Sequence, residues 1–418
     1  MRKEEYSQEA QRTISIIEEK YNVDWSNKVT LLNIKTLDLH WKNIVDISCL
    51  NELTNLTSLN LSKNEIYDIS PLMNLYNLTE LNLWNNNIDD ISSIKTLTQL
   101  SNLILHFNNI FDISYLRYLT NLSTLNLKNN KISDIKGLTN LDHLVILDLS
   151  NNQIKDISAL ENLIKLKELN ISSNKISDIS KISKLMNLYS LNLKHNFISN
   201  IFSLKYLEGL IELYLGDNQI SQISPLYNLQ YLTILDLSKN NITSFSNQLL
   251  QLELSISVNF EYGGIQLNNN PIQEPPLEII KQGNQAIQKY FDDLEAQGRG
   301  KLNEAKLIIV GEPEAGKSSL MECLLNPNYK LDPDKASTMG IDVKPWKFAH
   351  PQQNEREIRA NIWDFGGQQI QYMTHQFFLT PDSLYVLVTA NDRKESTNFL
   401  YWFKIIHLLS TSSKLNTN

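Results

Sequence analysis

LTSLNLSKNEIYDISPLMNL, residues 56–75, returns 22 residues later as LTELNLWNNNIDDISSIKTL, residues 78–97. The core of the repeat is L-x-L-x-x-N. Its first leucine falls at Leu59, Leu81, Leu103, Leu125, Leu147, Leu169, Leu191, Leu213 and Leu235, each step being 22 residues. One step back, Leu37 opens LDLHWK, with Lys42 at the asparagine position. Ten registers therefore run from about residue 34 to 254. Within a unit the apolar residues alternate over a short strand, then spread through a return segment. One such unit cannot bury its apolar face alone. Stacking on its neighbours does so, and the product is a solenoid.

In this pattern and period the chain resembles the leucine-rich repeat family, in its 22-residue form. Asn64, Asn86, Asn108, Asn130, Asn152, Asn174, Asn196, Asn218 and Asn240 fall at the bend after each strand. There a side-chain amide can satisfy backbone groups that the bend leaves open. A second column, Asp46, Asp68, Asp90, Asp112, Asp134, Asp156 and Asp178, precedes Ile-Ser or Ile-Lys. A calcium ladder would need a second recurring oxygen ligand, and none accompanies them. Each is expected to cap the turn that follows. The positions around the strand leucines face the concave side and carry mostly Asn, Ser, Lys and Glu. Trp41, Trp84, His106 and Phe107 depart from this and mark the expected contact with a protein partner.

Both ends of the array need covering. Ala10, Ile14, Ile17 and Tyr21 share one helical face, which predicts an N-terminal helical cap within residues 1–33. The solenoid spans 34–274, and its last match, IQLNNNPI, begins at Ile265, a step of 30 from Leu235. Residues 275–303 form a linker: PPLEII opens an amphipathic helix carrying Ile280, Ile287, Phe291 and Leu294, and QGRGK breaks it.

The 418 residues are 42% hydrophobic with a net charge of −8, so neither nucleic acid nor an anionic membrane is an expected partner. The start lacks an apolar signal-peptide core, and no run is long enough to span a membrane. Two distant cysteines, Cys49 and Cys323, fit a reducing cytoplasm.

Residues 304–418 change character. GEPEAGKSSL follows a buried-strand pattern, AKLIIV, and opens a helical one. Gly311, Gly316, Lys317 and Ser318 satisfy G-x-x-x-x-G-K-[ST]. The stretch Gly311, Glu312, Pro313, Glu314, Ala315, Gly316, Lys317, Ser318 and Ser319 would cradle phosphates. Glycines let backbone N–H groups approach, Lys317 neutralises oxygens, and Ser318 holds Mg²⁺. Further on, a strand delivers WDFGGQ. Asp364 would meet Mg²⁺ through water, the Gly367 N–H the γ-phosphate, and Gln368 would orient the attacking water as the catalytic residue.

Repeats, then NPI…PPLEII, then LNEAKLIIVG, with THQFFLT after WDFGGQ, resemble bacterial Roco proteins, in which leucine-rich repeats precede a Ras-like Roc GTPase domain. The resemblance implies GTP or GDP with Mg²⁺ as ligands, intracellular signalling, and Thr338 as the switch threonine on Mg²⁺. It also implies a strand ending in N-K-x-D, whose aspartate reads guanine. Residues 390–418 contain no such motif, so the α/β domain is expected to be incomplete, truncated within Roc. The dimerisation module that follows Roc in that family is not found, which leaves a homodimer without its usual surface. No kinase motif occurs. The expected fold is thus an α/β chain: a leucine-rich solenoid followed by an incomplete Ras-like P-loop domain. The alternative to a GTP-hydrolysing protein is an interaction scaffold with a non-functional Roc remnant.

Overall fold

The computed structural model describes residues 3–259, 263–297, 304–311, 314–331, 341–350, 353–365 and 383–389. The chain divides into two units, Met1–Gly298 and Arg299–Asn418, each with its own sheet.

In the first unit ten three-residue strands, Thr36–Asp38 through Ile234–Asp236, pair in parallel. The register is that of the repeat: Leu37 faces Leu59, Leu59 faces Leu81, and the series continues to Leu235. The strands are short because the chain bends immediately after the second leucine. Each return holds a 3₁₀ helix, such as Ser70–Asn74 or Ser92–Thr96. The leucines and isoleucines of all units merge into one continuous core.

The asparagines bind that core together. Asn86 Nδ2 donates to the carbonyls of Leu83, in its own unit, and Leu61, in the preceding one, at 3.1 and 3.0 Å. Its Oδ1 accepts from Ile66 N–H at 3.0 Å. The same three bonds recur at Asn108, Asn130, Asn152, Asn174, Asn196, Asn218 and Asn240. Every one of these amides is buried. The aspartate column does lighter work: Asp68 Oδ1 accepts from Ser70 N–H at 2.8 Å, and its counterparts repeat the bond into each 3₁₀ turn. No group of three His, Cys, Asp or Glu able to hold a metal occurs among the described residues.

Both ends are covered. Helix Gln8–Tyr21 is capped by Ser7, whose hydroxyl accepts from Ala10 N–H, and it buries Ala10, Thr13, Ile14 and Ile17. The Tyr21 hydroxyl accepts from Asp38 N–H at 2.7 Å, closing the open edge of the first strand. At the other end the order of strands is inverted. Gly264–Gln266 pairs beside Ile234–Asp236, and the earlier segment Ile256–Ser257 lies outside it. The expected single linker helix is two, Leu277–Ile280 and Asn284–Gln297, separated by Gly283 at φ +89°. That break places Asn284 at the array's end, where it accepts from Ile256 N–H and donates to Leu254 C=O, continuing the asparagine ladder past Asn270.

Cys49 lies wholly within the core, and burial pushes its thiol up to about 12. Cys323 is exposed. A thiol reagent at pH 8 is therefore expected to label Cys323 in the native protein and Cys49 only after unfolding. Rapid labelling of both in the native state would contradict the packing.

The second unit has a four-stranded sheet in the order Ile341–His350, Gln353–Phe365, Glu304–Gly311, Ser383–Val388. The first pair is antiparallel and the other two are parallel. Helix Lys317–Leu325 packs Met321 against Leu307, Ile309 and Ile362. The architecture is that of a parallel repeat sheet followed by a mixed α/β region. The helix expected within ESTNFLYWFKIIHLL lies outside the described residues.

Candidate functional site

The strand Glu304–Gly311 is buried along Leu307, Ile308, Ile309 and Val310 and runs between two neighbours. It ends at Gly311, whose φ of +149° favours glycine. The loop then turns through Glu314, also at positive φ, to Gly316 at φ +91°. Gly316 is the N-cap of helix Lys317–Leu325 and has no side chain with which to cap it. The first-turn N–H groups of a helix suit an anion.

Three side chains converge there. Lys317 is 7% exposed, and its Nζ donates to the Gly311 carbonyl at 3.1 Å. The Ser318 hydroxyl donates to Asp364 Oδ2. Asp364 is fully buried near the end of Gln353–Phe365, beside Ile309 in the register. A hydroxyl and a carboxylate are hard oxygen donors of the kind Mg²⁺ prefers, and the buried ammonium complements phosphate. Ala315 and Ser319 are half-buried in the same turn and helix. Glu312, Pro313, Thr338, Gly367 and Gln368 lie outside the described residues, as does His375.

Two further lysines are held nearby in the fold. Lys344 Nζ bonds Glu322 Oε1 at 2.7 Å, joining the helix to the antiparallel strand, and that bond raises the Lys344 pKa. Lys306 lies 4.4 Å from the Trp363 ring, and burial lowers its pKa.

In the first unit the four expected partner residues fall two or three positions past the strand ends, on the bend at the sheet's margin rather than in the strands. Trp41 is 71% and Phe107 47% exposed. Trp84 stacks on His106 at 5.0 Å, and His106 meets Phe107 edge-on at 5.7 Å. Lys63 lies between Trp41 and Trp84, 5.4 and 4.8 Å from their centroids. Burial holds the His106 imidazole below its ordinary pKa. The residue just before each ladder asparagine is left-handed: Lys63, Asn85, Asn129, Asn151 and Asp217 among them. Trp41 and Phe107 occupy that same column at φ +54° and +56°. Left-handed backbone costs roughly 1–2 kcal/mol in a non-glycine residue, and least in Asn or Asp.

Residues 306–416 match the family described as "Ras of Complex, Roc, domain of DAPkinase". Leucine-rich repeat families match 52–69, 77–97, 120–162, 164–206 and 208–251. The chain has the repeat-then-Roc architecture of Roco proteins.

Its relatives are of that kind. It is 31% identical over 181 residues to a Roc-COR-CHAT protease of an unknown prokaryotic organism, covering 39% of this chain and 17% of that protein. A Roc-COR-CHAT protease of Runella zeae is 39% identical over 106 residues, which is 24% of this chain and 11% of that one. The probable serine/threonine-protein kinase pats1 of Dictyostelium discoideum is 30% identical over 177 residues, 38% of this chain and 6% of its own length. The chain thus spans under a fifth of the length of these relatives. Among solved structures an internalin (inlF) of Listeria monocytogenes is 33% identical with a TM-score of 0.53, covering 59% of this chain and 77% of that one.

Two features of the structure escaped the sequence. Lys63 carries no motif, and only its place between two tryptophan-bearing units could have drawn attention to it. The Glu322 to Lys344 pair joins residues 22 positions apart with no periodic signal.

Proposed function

We propose that the Roc region binds a guanine nucleotide with Mg²⁺, and that the repeats carry a protein partner whose engagement is coupled to that site. The observation behind this reading is the meeting of Lys317, Ser318 and Asp364 at one strand end. An ammonium and a carboxylate, each more than nine-tenths buried, stand close to this point, and burial is costly for a charge unless it is paired. Phosphate and a divalent cation are the species they complement. Ser318 and Asp364 would hold the metal, with Thr338 joining them by resemblance. Bound Mg²⁺ neutralises phosphate oxygens and polarises the phosphoryl group. Lys317 binds and orients the phosphates, and the helix start offers N–H donors. By resemblance Gly367 contacts the terminal phosphate and Gln368 positions water, which makes slow GTP hydrolysis the reaction assigned. The two free cysteines suit a cytoplasmic setting.

Titration of the full chain with fluorescent GDP and GTP tests this. Lys317→Ala removes a charge-assisted bond worth about 1.5–3 kcal/mol, so affinity should fall about 10- to 100-fold. Chelating Mg²⁺ should weaken GTP further. Excess ATP should not displace the probe, since guanine rather than adenine rests on the Roc match. A folded wild-type chain that binds neither nucleotide would leave the repeats as the working part.

A further inference from the structure

We infer that the rim formed by Trp41, Lys63, Trp84, His106 and Phe107 docks a protein segment that presents a carboxylate beside an apolar or aromatic side chain. This rests on the reading that the repeats carry a protein partner, and it names the partner's chemistry.

Three observations lead to it. First, the rim is built against local preference. Asn85, Asn129 and Asn151 show what the left-handed column accepts readily, yet Trp41 and Phe107 hold it with large rings open to solvent. Trp84 Nε1 and His106 Nδ1 are moreover buried with no hydrogen-bond partner among the described residues. Both features run against what stability alone favours.

Second, the rim holds a cation that lacks a counter-charge. Lys63 is half-buried over two indole faces, and among the described residues no carboxylate lies within ion-pair distance of it. Some lysines elsewhere on the array do meet acids: Lys194 reaches Asp236 at 2.5 Å, and Lys181 and Lys184 share Glu161. An ammonium already desolvated by aromatic faces attracts one anionic group strongly. The surroundings exclude a polyanion, because Asp38, Glu65, Glu80, Asp89 and Asp90 stand in the same units and the chain carries −8 overall. A single carboxylate fits; a nucleic acid or an anionic membrane does not.

Third, the rim is long. Trp41 and Phe107 belong to units three strands apart, which is roughly 14 Å at about 4.8 Å per strand. That length matches about four residues of extended polypeptide at roughly 3.3 Å each. The acid would sit at Lys63, with flanking apolar side chains on the two exposed rings.

The test is selection of a displayed random dodecapeptide library on the full chain, followed by synthesis of the enriched peptide. Enriched sequences should pair Asp or Glu with Trp, Phe, Tyr or Leu. Replacing that acid by its amide should weaken binding on the order of tenfold, and added salt should do the same. Trp41→Asn and Phe107→Asn should each weaken binding on the order of 30-fold, while the melting temperature holds or rises, because Asn suits the column. That combination separates recognition from folding. Lys63→Asn should abolish the salt dependence. No enrichment, or enrichment without acids, would overturn the inference. So would a rim that prefers oligonucleotides or anionic vesicles to peptides. Acid-free peptides that still need Trp41 would leave the partner site standing and remove only its assigned chemistry. Peptides that ignore Trp41 and Phe107 would remove both.

Discussion

Asn130→Ala should lower the stability of the repeat unit by about 3–5 kcal/mol, among the largest single-residue effects in the solenoid. Asn130 Oδ1 accepts from Ile110 N–H at 3.0 Å. Its Nδ2 donates to the Leu105 and Leu127 carbonyls at 3.1 and 3.0 Å. Alanine strands the Ile110 N–H in a dry interior, at roughly 1–3 kcal/mol, and removes two further bonds worth about 0.5–1.5 kcal/mol each, although the Leu105 and Leu127 carbonyls keep those from Asn108 and Asn152. Partial relaxation and an entering water keep the total below the simple sum. Asn130→Asp makes the argument sharper: the carboxylate could still accept from Ile110 but could not donate, so it should be nearly as damaging. Asp134→Ala in the same unit is the control. It removes one exposed bond to Lys136 N–H and should cost no more than about 1 kcal/mol. Urea unfolding followed by circular dichroism reads all three. In a solenoid each unit is stabilised mainly by its neighbours. A break in mid-array should therefore also split the transition into two. Equal losses at Asn130 and Asp134 would mean the amides do not carry the coupling between units.

Much of this is legible in the sequence alone. The 22-residue step set the strand register, and the asparagine column announced a bend in need of hydrogen bonds. Its partners were beyond reach, because the bonds of Asn86 to Leu61 and Ile66 cross between units. The end of the array was harder still. The inverted order of 256–257 and 264–266 occurs once, so no periodicity reports it. Asn284 serves the ladder from a helix start, outside the L-x-L-x-x-N frame. The phosphate loop was read from spacing and context, and the structure brings Lys317, Ser318 and Asp364 together although 46 residues separate the last two. What the motif could not show is which of its glycines is fixed by contact and which by backbone angle alone.

Gly311→Ala and Gly316→Ala separate those two cases. At Gly311 an added Cβ would lie 2.2 Å from the Val388 carbonyl oxygen and 3.2 Å from its carbon. Both are backbone atoms, so neither can rotate away. The strand cannot slide, because it is paired on its other edge to Gln353–Phe365 from Glu304 to Ile309. Steric displacement and the unfavourable φ together should cost the second unit about 3 kcal/mol or more. The Gly311 carbonyl that holds Lys317 would move with them, and nucleotide affinity should fall more than about 100-fold. At Gly316 a Cβ meets nothing within 4 Å, and only the φ of +91° opposes it. That penalty is about 1–2 kcal/mol. The sheet should survive while the loop, re-angled at the helix start, binds phosphate less well. Hydrogen exchange distinguishes them: Gly311→Ala should expose residues 304–310 and 383–388, whereas Gly316→Ala should affect only the loop and the first helical turn. The repeat unit should exchange as in the wild type in both. If Gly311→Ala keeps full protection in those strands, the close approach of Val388 does not govern the sheet, and the glycine would be needed for the ligand alone.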